Sequence, residues 1–128
     1  MPPGKKLYAS GEDYLEAVLV IQKKKGKVRS VDVSRHMEVS KPSVSYAVAA
    51  LRDGGFLTMD EDRFLHLTDM GREVAEKIYE RHCFFRDKLI AAGVDSKRAE
   101  YDACRMEHNI SIESFEKLRD YYSSQKRK

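Results

Sequence analysis

Two short stretches of this 128-residue chain have residue types and spacings that can do chemistry. The first is Cys104-Arg105-Met106-Glu107-His108. On a helix, Cys104, Glu107 and His108 stand at i, i+3 and i+4 and share one face. A thiolate, a carboxylate and an imidazole together offer a first-row transition metal three donors of mixed softness. The same five residues also read as a small buried thiol, a surface acid and a helix-terminal hydrogen bonder, and spacing alone leaves both readings open. The second stretch is Ser40-Lys41-Pro42-Ser43-Val44-Ser45-Tyr46. Its side chains are small, polar or aromatic, with apolar Val44 and Val48 left to face a core. Lys41 suits a phosphate, Ser43, Ser45 and Tyr46 suit base edges, and Pro42 suits a thymine methyl.

Both stretches need helices to hold them. Ser10 with Asp13 reads as a capping box opening a first helix that runs to about Lys25 and ends at Gly26. Ser30 reads as the cap of a second helix to about Met37. Ser40 caps a third, with Pro42 in its first turn and Gly54-Gly55 as its stop. Phe56–Met59 and Phe64–Thr68, around the polar tip Asp60-Glu61-Asp62-Arg63, read as a β-hairpin. Thr68 then caps a long helix closed by Gly93, Ser96 opens a fifth helix to about Ile110, and Ser111 opens a sixth.

Two short helices, a tight turn and a hairpin make a winged helix-turn-helix, in which the second helix braces the third against the major groove. Arg29 and Ser30 sit where the start of the second helix meets a phosphate, and Arg63 sits on the wing. The acidic wing tip argues against deep phosphate contact there. The fold class is therefore mainly α. A winged helix-turn-helix DNA-binding domain over residues 1–72 is followed by a helical domain over 73–128.

Composition agrees with this and excludes other classes. Twenty-four Lys and Arg against 21 Asp and Glu leave a net charge of +3, too small an excess to identify a nucleic-acid binder by itself. The basic residues cluster at Lys5-Lys6, at Lys23–Lys25 with Lys27 and Arg29, and in the tail Lys126–Lys128. With 41% apolar residues the chain is too hydrophobic for a disordered protein. No apolar run reaches the ~20 residues of a membrane span, and the start is no signal peptide. Two distant cysteines, Cys83 and Cys104, read as reduced thiols rather than a disulfide framework, which fits a cytoplasmic protein. Cys83 reads as a core thiol, and His36 and His66 as surface or packing histidines. No general base or nucleophile stands beside the candidate ligands, so the chain does not read as an enzyme.

Several stretches together resemble the diphtheria-toxin-repressor and manganese-transport-regulator family of metal-dependent repressors. They are Glu12-Asp13-Tyr14-Leu15-Glu16, Ser40-Lys41-Pro42-Ser43-Val44-Ser45, Leu67-Thr68-Asp69-Met70-Gly71, Tyr79-Glu80-Arg81-His82 and Ala103-Cys104-Arg105-Met106-Glu107-His108. The resemblance spans nearly the whole chain, and the last stretch is the most specific. It implies a C-terminal half that dimerises, with Ile110, Ile112, Phe115 and Leu118 on the dimer surface, and a metal, Mn(II) or Fe(II), held between the first helix and the fourth and fifth. Asp13 falls where the manganese branch has aspartate, and Cys104 where the iron branch has cysteine. Glu107 and His108 match ligands of both branches, His82 a histidine ligand, and Glu16 a glutamate ligand of the manganese branch. Two positions depart from the pattern. Arg86 occupies the place of an acidic ligand of a second site, and Glu100 the place of a histidine. Either that site is altered or lost, or His82, Glu16 and Glu100 rebuild it while Arg86 pairs with a carboxylate. The length implies the short form without the SH3-like domain of longer members.

The resemblance thus implies a homodimeric repressor in which metal orients the recognition helices on a palindromic double-stranded DNA operator, controlling metal-uptake genes. Asp13 in place of a thioether tilts the shell toward manganese, and the Cys104 thiolate toward softer ions. Two rival readings remain. One is a winged-helix regulator triggered by a small ligand or by Cys104 oxidation. The other is a metal-binding module that binds no operator.

Overall fold

The computed structural model describes residues 9–126. Lys5, Lys6 and the last two basic residues of the tail therefore lie outside the described residues. The described part is mainly helical, and the chain divides into two compact units, Met1–Lys77 and Ile78–Lys128.

The first unit holds α1 (Ala9–Lys25), α2 (Ser30–Met37), α3 (Lys41–Asp53), the strands β1 (Leu57–Met59) and β2 (Leu65–Leu67), and the start of α4 (Asp69–Ala91). Leu15, Val18, Leu19 and Ile21 of α1 are buried with Val33 of α2, Val44, Val48 and Leu51 of α3, and Leu57 and Leu65 of the hairpin. The strands pair antiparallel, Leu57 with Leu67 and Met59 with Leu65. Val28 accepts the Leu65 N–H at 2.7 Å, so the link after α1 is tied to the outer edge of β2. Gly71 lies against the backbone of Phe56 so closely that a Cβ would strike its carbonyl, and only glycine lets α4 start there.

The caps that start these helices are partly those read from the sequence. Ser40 Oγ accepts the Ser43 N–H at 3.2 Å, and Thr68 Oγ1 accepts the Gly71 N–H at 3.0 Å while donating to Gly55 O at 2.7 Å. Ser10 and Ser30 do not cap: both lie inside helices. For α2 the N-cap is Arg29, whose N–H donates to the Asp32 carboxylate at 2.9 Å, the acidic half of a capping box.

The second unit contains the rest of α4, α5 (Ser96–Met106) and α6 (Ile112–Lys126). Phe85, Ala103 and Phe115 form its core, with Phe84 and Ile110 against them. Phe84 meets Phe115 and Tyr122 edge-on, at centroid distances of 5.5 and 5.8 Å. Gly93 ends α4 at φ +103, where its lack of a Cβ permits the left-handed turn. Asp95, not Ser96, caps α5 by accepting from the Lys97 and Arg98 N–H groups, whereas Ser111 does cap α6 through the Ser114 N–H. Cys83 is only half-buried, so it is not the core thiol that its sequence context suggests.

The fifth helix is shorter than its apolar pattern predicts. It stops at Met106, with Glu107 as its C-cap in helical conformation. Beyond it the chain turns, because Asn109 takes the last carbonyls: its N–H donates to Met106 O and its side chain to Arg105 O. Arg81 fixes the turn from outside, with Nη1 donating to Glu107 O at 3.2 Å and Ile110 O at 3.0 Å.

Candidate metal centre and nucleic-acid interface

Glu107 carries the metal question. Its side chain is wholly buried, and Oε1 meets His82 Nδ1 at 3.1 Å. The other oxygen, Oε2, is buried and has no hydrogen-bond partner among the described residues. A buried carboxylate oxygen without a donor is costly, and protein interiors tolerate it where a cation completes the site. The donors nearby in this unit are of the right kind for a divalent transition metal. His82 is buried on α4, Cys104 is half-buried in the last turn of α5, and His108 is half-buried just past the helix end. Cys104 lies in the last turn of α5, Glu107 follows as its C-cap in helical conformation, and His108 comes next in the chain.

His82 continues outward. Its Nε2 lies 3.0 Å from Glu100 Oε2, so both ring nitrogens face carboxylate oxygens. A neutral ring donates only one of those two hydrogen bonds. Glu100 also accepts from Arg86 Nη1 at 3.3 Å. Partial burial pushes the Glu100 carboxyl up, but hydrogen bonds and charge from His82 and then Arg86 outweigh it and hold the group below the usual glutamate range. In the first unit, Asp13 and Glu16 stand three residues apart on α1, Asp13 half-buried and Glu16 buried. The residues present fit a divalent ion, with Glu107 the anchor.

Within the first unit the candidate DNA face is equally specific. Ser40, Lys41, Pro42, Ser43, Ser45 and Tyr46 are all exposed, while Val44 and Val48 between them are buried. Tyr46 is 81% exposed, a large aromatic with no packing reason to be there. Arg63 lies at the exposed wing tip with φ +68. The wing's acidic character is partly spent internally. Asp60 Oδ1 accepts the Asp62 and Phe64 N–H groups, and Oδ2 pairs with His66 at 2.8 Å. The His66 hydrogen bond, with those backbone donors, holds the Asp60 carboxyl below its ordinary range.

Three residues escape a reading by sequence. Lys27 and Arg29 both sit over the Phe64 ring, at 4.9 and 4.3 Å from its centroid, so the wing organises two cations beside the half-buried Ser30. Lys27 and Phe64 carry no local signal beyond their types. Arg81 lies inside a stretch quoted for its resemblance, but its contacts 26 and 29 residues away could not be read from the chain.

Comparison with known proteins follows this division. Residues 6–65 match the iron dependent repressor N-terminal DNA binding domain, and residues 68–128 match the iron dependent repressor metal binding and dimerisation domain. The chain is 32% identical over 108 residues to the transcriptional regulator MntR of Escherichia coli O6:H1, covering 84% of this chain and 70% of that one. It is 31% identical over 111 residues to the HTH-type transcriptional regulator MntR of Shouchella clausii, covering 87% and 78%. Its fold superposes on the structure of the manganese regulator SloR with a TM-score of 0.79 at 24% identity, covering 88% of this chain but 53% of that one. The chain thus spans about half the length of that solved protein. With both halves matched, and with relatives this similar over 70% and 78% of their own length, the chain belongs to the iron-dependent repressor family of metal-dependent, DNA-binding transcriptional regulators, which are not enzymes.

Proposed function

We propose that this chain is a cytoplasmic, homodimeric repressor that binds a palindromic operator when loaded with Mn(II), or secondarily Fe(II), and controls genes of metal uptake. The observation that carries this reading is the buried Glu107 carboxylate with a partnerless oxygen beside His82. The relatives named as MntR support manganese. So does the donor set, because Asp13 and Glu16 add hard carboxylates, while Cys104 gives the shell enough softness for Fe(II).

In this reading residues 1–72 bind DNA and residues 73–128 bind metal and dimerise. Asp13, Glu16, His82, Cys104, Glu107 and His108 hold the ion, with Glu100 behind His82. When bound, the ion supplies positive charge that α1 of the DNA-binding domain and α4 and α5 of the second domain neutralise together. Glu107 would hold it at the end of α5, and Asp13 and Glu16 would add two carboxylates from α1. Ser43, Ser45 and Tyr46 read base edges, Pro42 meets a thymine methyl, and Ser40, Lys41, Arg29, Ser30 and Arg63 engage phosphates.

The test is an anaerobic pull-down of genomic DNA fragments by the pure protein with chelator, with Mn(II) and with Fe(II). A common palindromic site enriched only with metal is the expected result, and the two metals rank themselves. Equal enrichment in all three tubes overturns metal control, and no enrichment in any tube overturns operator binding.

A further inference from the structure

The buried acid of the second unit is the inner end of a line of alternating acidic and basic side chains. Glu107 Oε1 meets His82 Nδ1 at 3.1 Å, and His82 Nε2 meets Glu100 Oε2 at 3.0 Å. Arg86 Nη1 donates to Glu100 Oε1 at 3.3 Å, and its Nε donates to Asp87 at 3.0 Å. The two ends differ in kind. At the inner end Glu107 Oε2 is buried without a hydrogen-bond partner among the described residues. At the outer end a guanidinium already neutralises the half-exposed Glu100.

A guanidinium offers no lone pair to a metal and keeps its charge at every accessible pH. An ion resting on Glu100 Oε2 and the outward nitrogen of His82 would face the charge of Arg86 at close range across the same carboxylate. The residues therefore do not fit an ion there, although His82 and Glu100 are each competent ligands. We infer that Arg86 is a tethered cation that closes the Glu100 side of His82 to metal, so that metal is held at the Glu107 end and not at Glu100. The inference rests on the metal-binding reading above and goes further, because it says where no ion binds and gives Arg86 a role. Glu100 becomes a positioning residue: with Arg86 behind it, it holds the His82 ring at Nε2 whether or not an ion is bound. The outer half of the site is then set in advance.

The experiment is a Mn(II) titration of the full chain, reading free aqueous Mn(II) by its electron paramagnetic resonance signal. It measures binding and needs no DNA. Wild type and R86K are expected to bind the same number of ions per protomer. R86E and R86H, which put a ligand in place of the cation, are expected to bind one more. Having both variants guards against one failing to fold, which circular dichroism reports. A count unchanged from wild type on whichever of R86E and R86H fold, or a higher count on R86K, overturns the inference. No ion on any of the proteins overturns the metal-binding reading together with it, a result distinct from the others.

Discussion

A carboxylate with no solvent exposure and one oxygen unmatched, as at Glu107, lowers the stability of the metal-free protein by an amount that a bound ion returns. An ion held at a hundred times its dissociation constant adds about 2.7 kcal/mol. For a chain of this length that raises Tm by roughly 10 °C. Wild type melted with Mn(II) and with chelator should show this rise, and Glu107→Gln should lose most of it. A full Mn(II)-dependent rise in that variant would remove Glu107 from the site. Arg81 acts on the same residue through its backbone, donating to the carbonyls of Glu107 and Ile110 while lying over the Phe115 ring at 5.5 Å. Arg81→Ala strips both carbonyls of a donor, at a cost of about 1–3 kcal/mol. It should also weaken Mn(II) binding in a competition titration, because the turn that sets Glu107 is no longer held. Lower stability with unchanged Mn(II) affinity would confine Arg81 to folding.

At the scale of elements, α2 shows how a helix start becomes a pH-dependent feature. Asp32 accepts from Lys25 Nζ at 2.8 Å and from the Arg29 N–H at 2.9 Å, and these contacts, Lys25 first, hold its carboxyl below the ordinary range. A depressed folded pKa stabilises the protein fully above the unfolded value of about 3.9. That contribution is lost as pH falls from there through the folded value. Asp32→Ala should cost about 1 kcal/mol at neutral pH. Urea midpoints measured from pH 6 to pH 3 should converge for the two proteins at the acid end; a constant gap would show that the Asp32 charge does not matter. Beside α2, the cations Lys27 and Arg29 share the Phe64 ring. Replacing either by alanine should flatten the dependence of log DNA affinity on log salt by about 1 while sequence preference stays the same. A changed preference would place that side chain on a base instead. How far such elements were legible follows from the range of the contacts that build them. Ser40, Thr68 and Ser111 bond to amides three residues away and were readable, as were the hairpin and the buried face of α3. Ser30 and Ser96 misled because a neighbouring residue, Arg29 or Asp95, occupies the cap position instead. The end of α5 at Met106 was not readable, because Arg81 on another helix takes part in setting it. That Arg86 meets Glu100, 14 residues on, was likewise not readable, because the pair joins two helices.

For the whole molecule, metal control of DNA binding means that metal and DNA act on one equilibrium, and this obliges each to strengthen the other. If Mn(II) raises operator affinity by some factor, operator DNA must raise Mn(II) affinity by the same factor; couplings of this kind run to about 1–3 kcal/mol, or roughly 5–150-fold. Dimerisation can carry part of that coupling. Leu118 and Tyr121, three apart on α6, are exposed apolar groups suited to a second copy of the chain, whereas Phe115, read from the sequence as part of that surface, is buried in the protomer's own core. Leu118→Glu should therefore yield a monomer at micromolar concentration by sedimentation while leaving the Phe84–Phe115 packing intact. The two affinities would be measured by anisotropy for DNA and by competition for Mn(II), each with the other ligand present and absent, in both proteins. Equal factors in wild type that fall toward one in Leu118→Glu would mean that metal acts by setting the spacing of two recognition helices on two half-sites. Equal factors retained in the monomer would mean that metal orders a single DNA-binding domain. Factors of one in wild type would end the case for a metal switch.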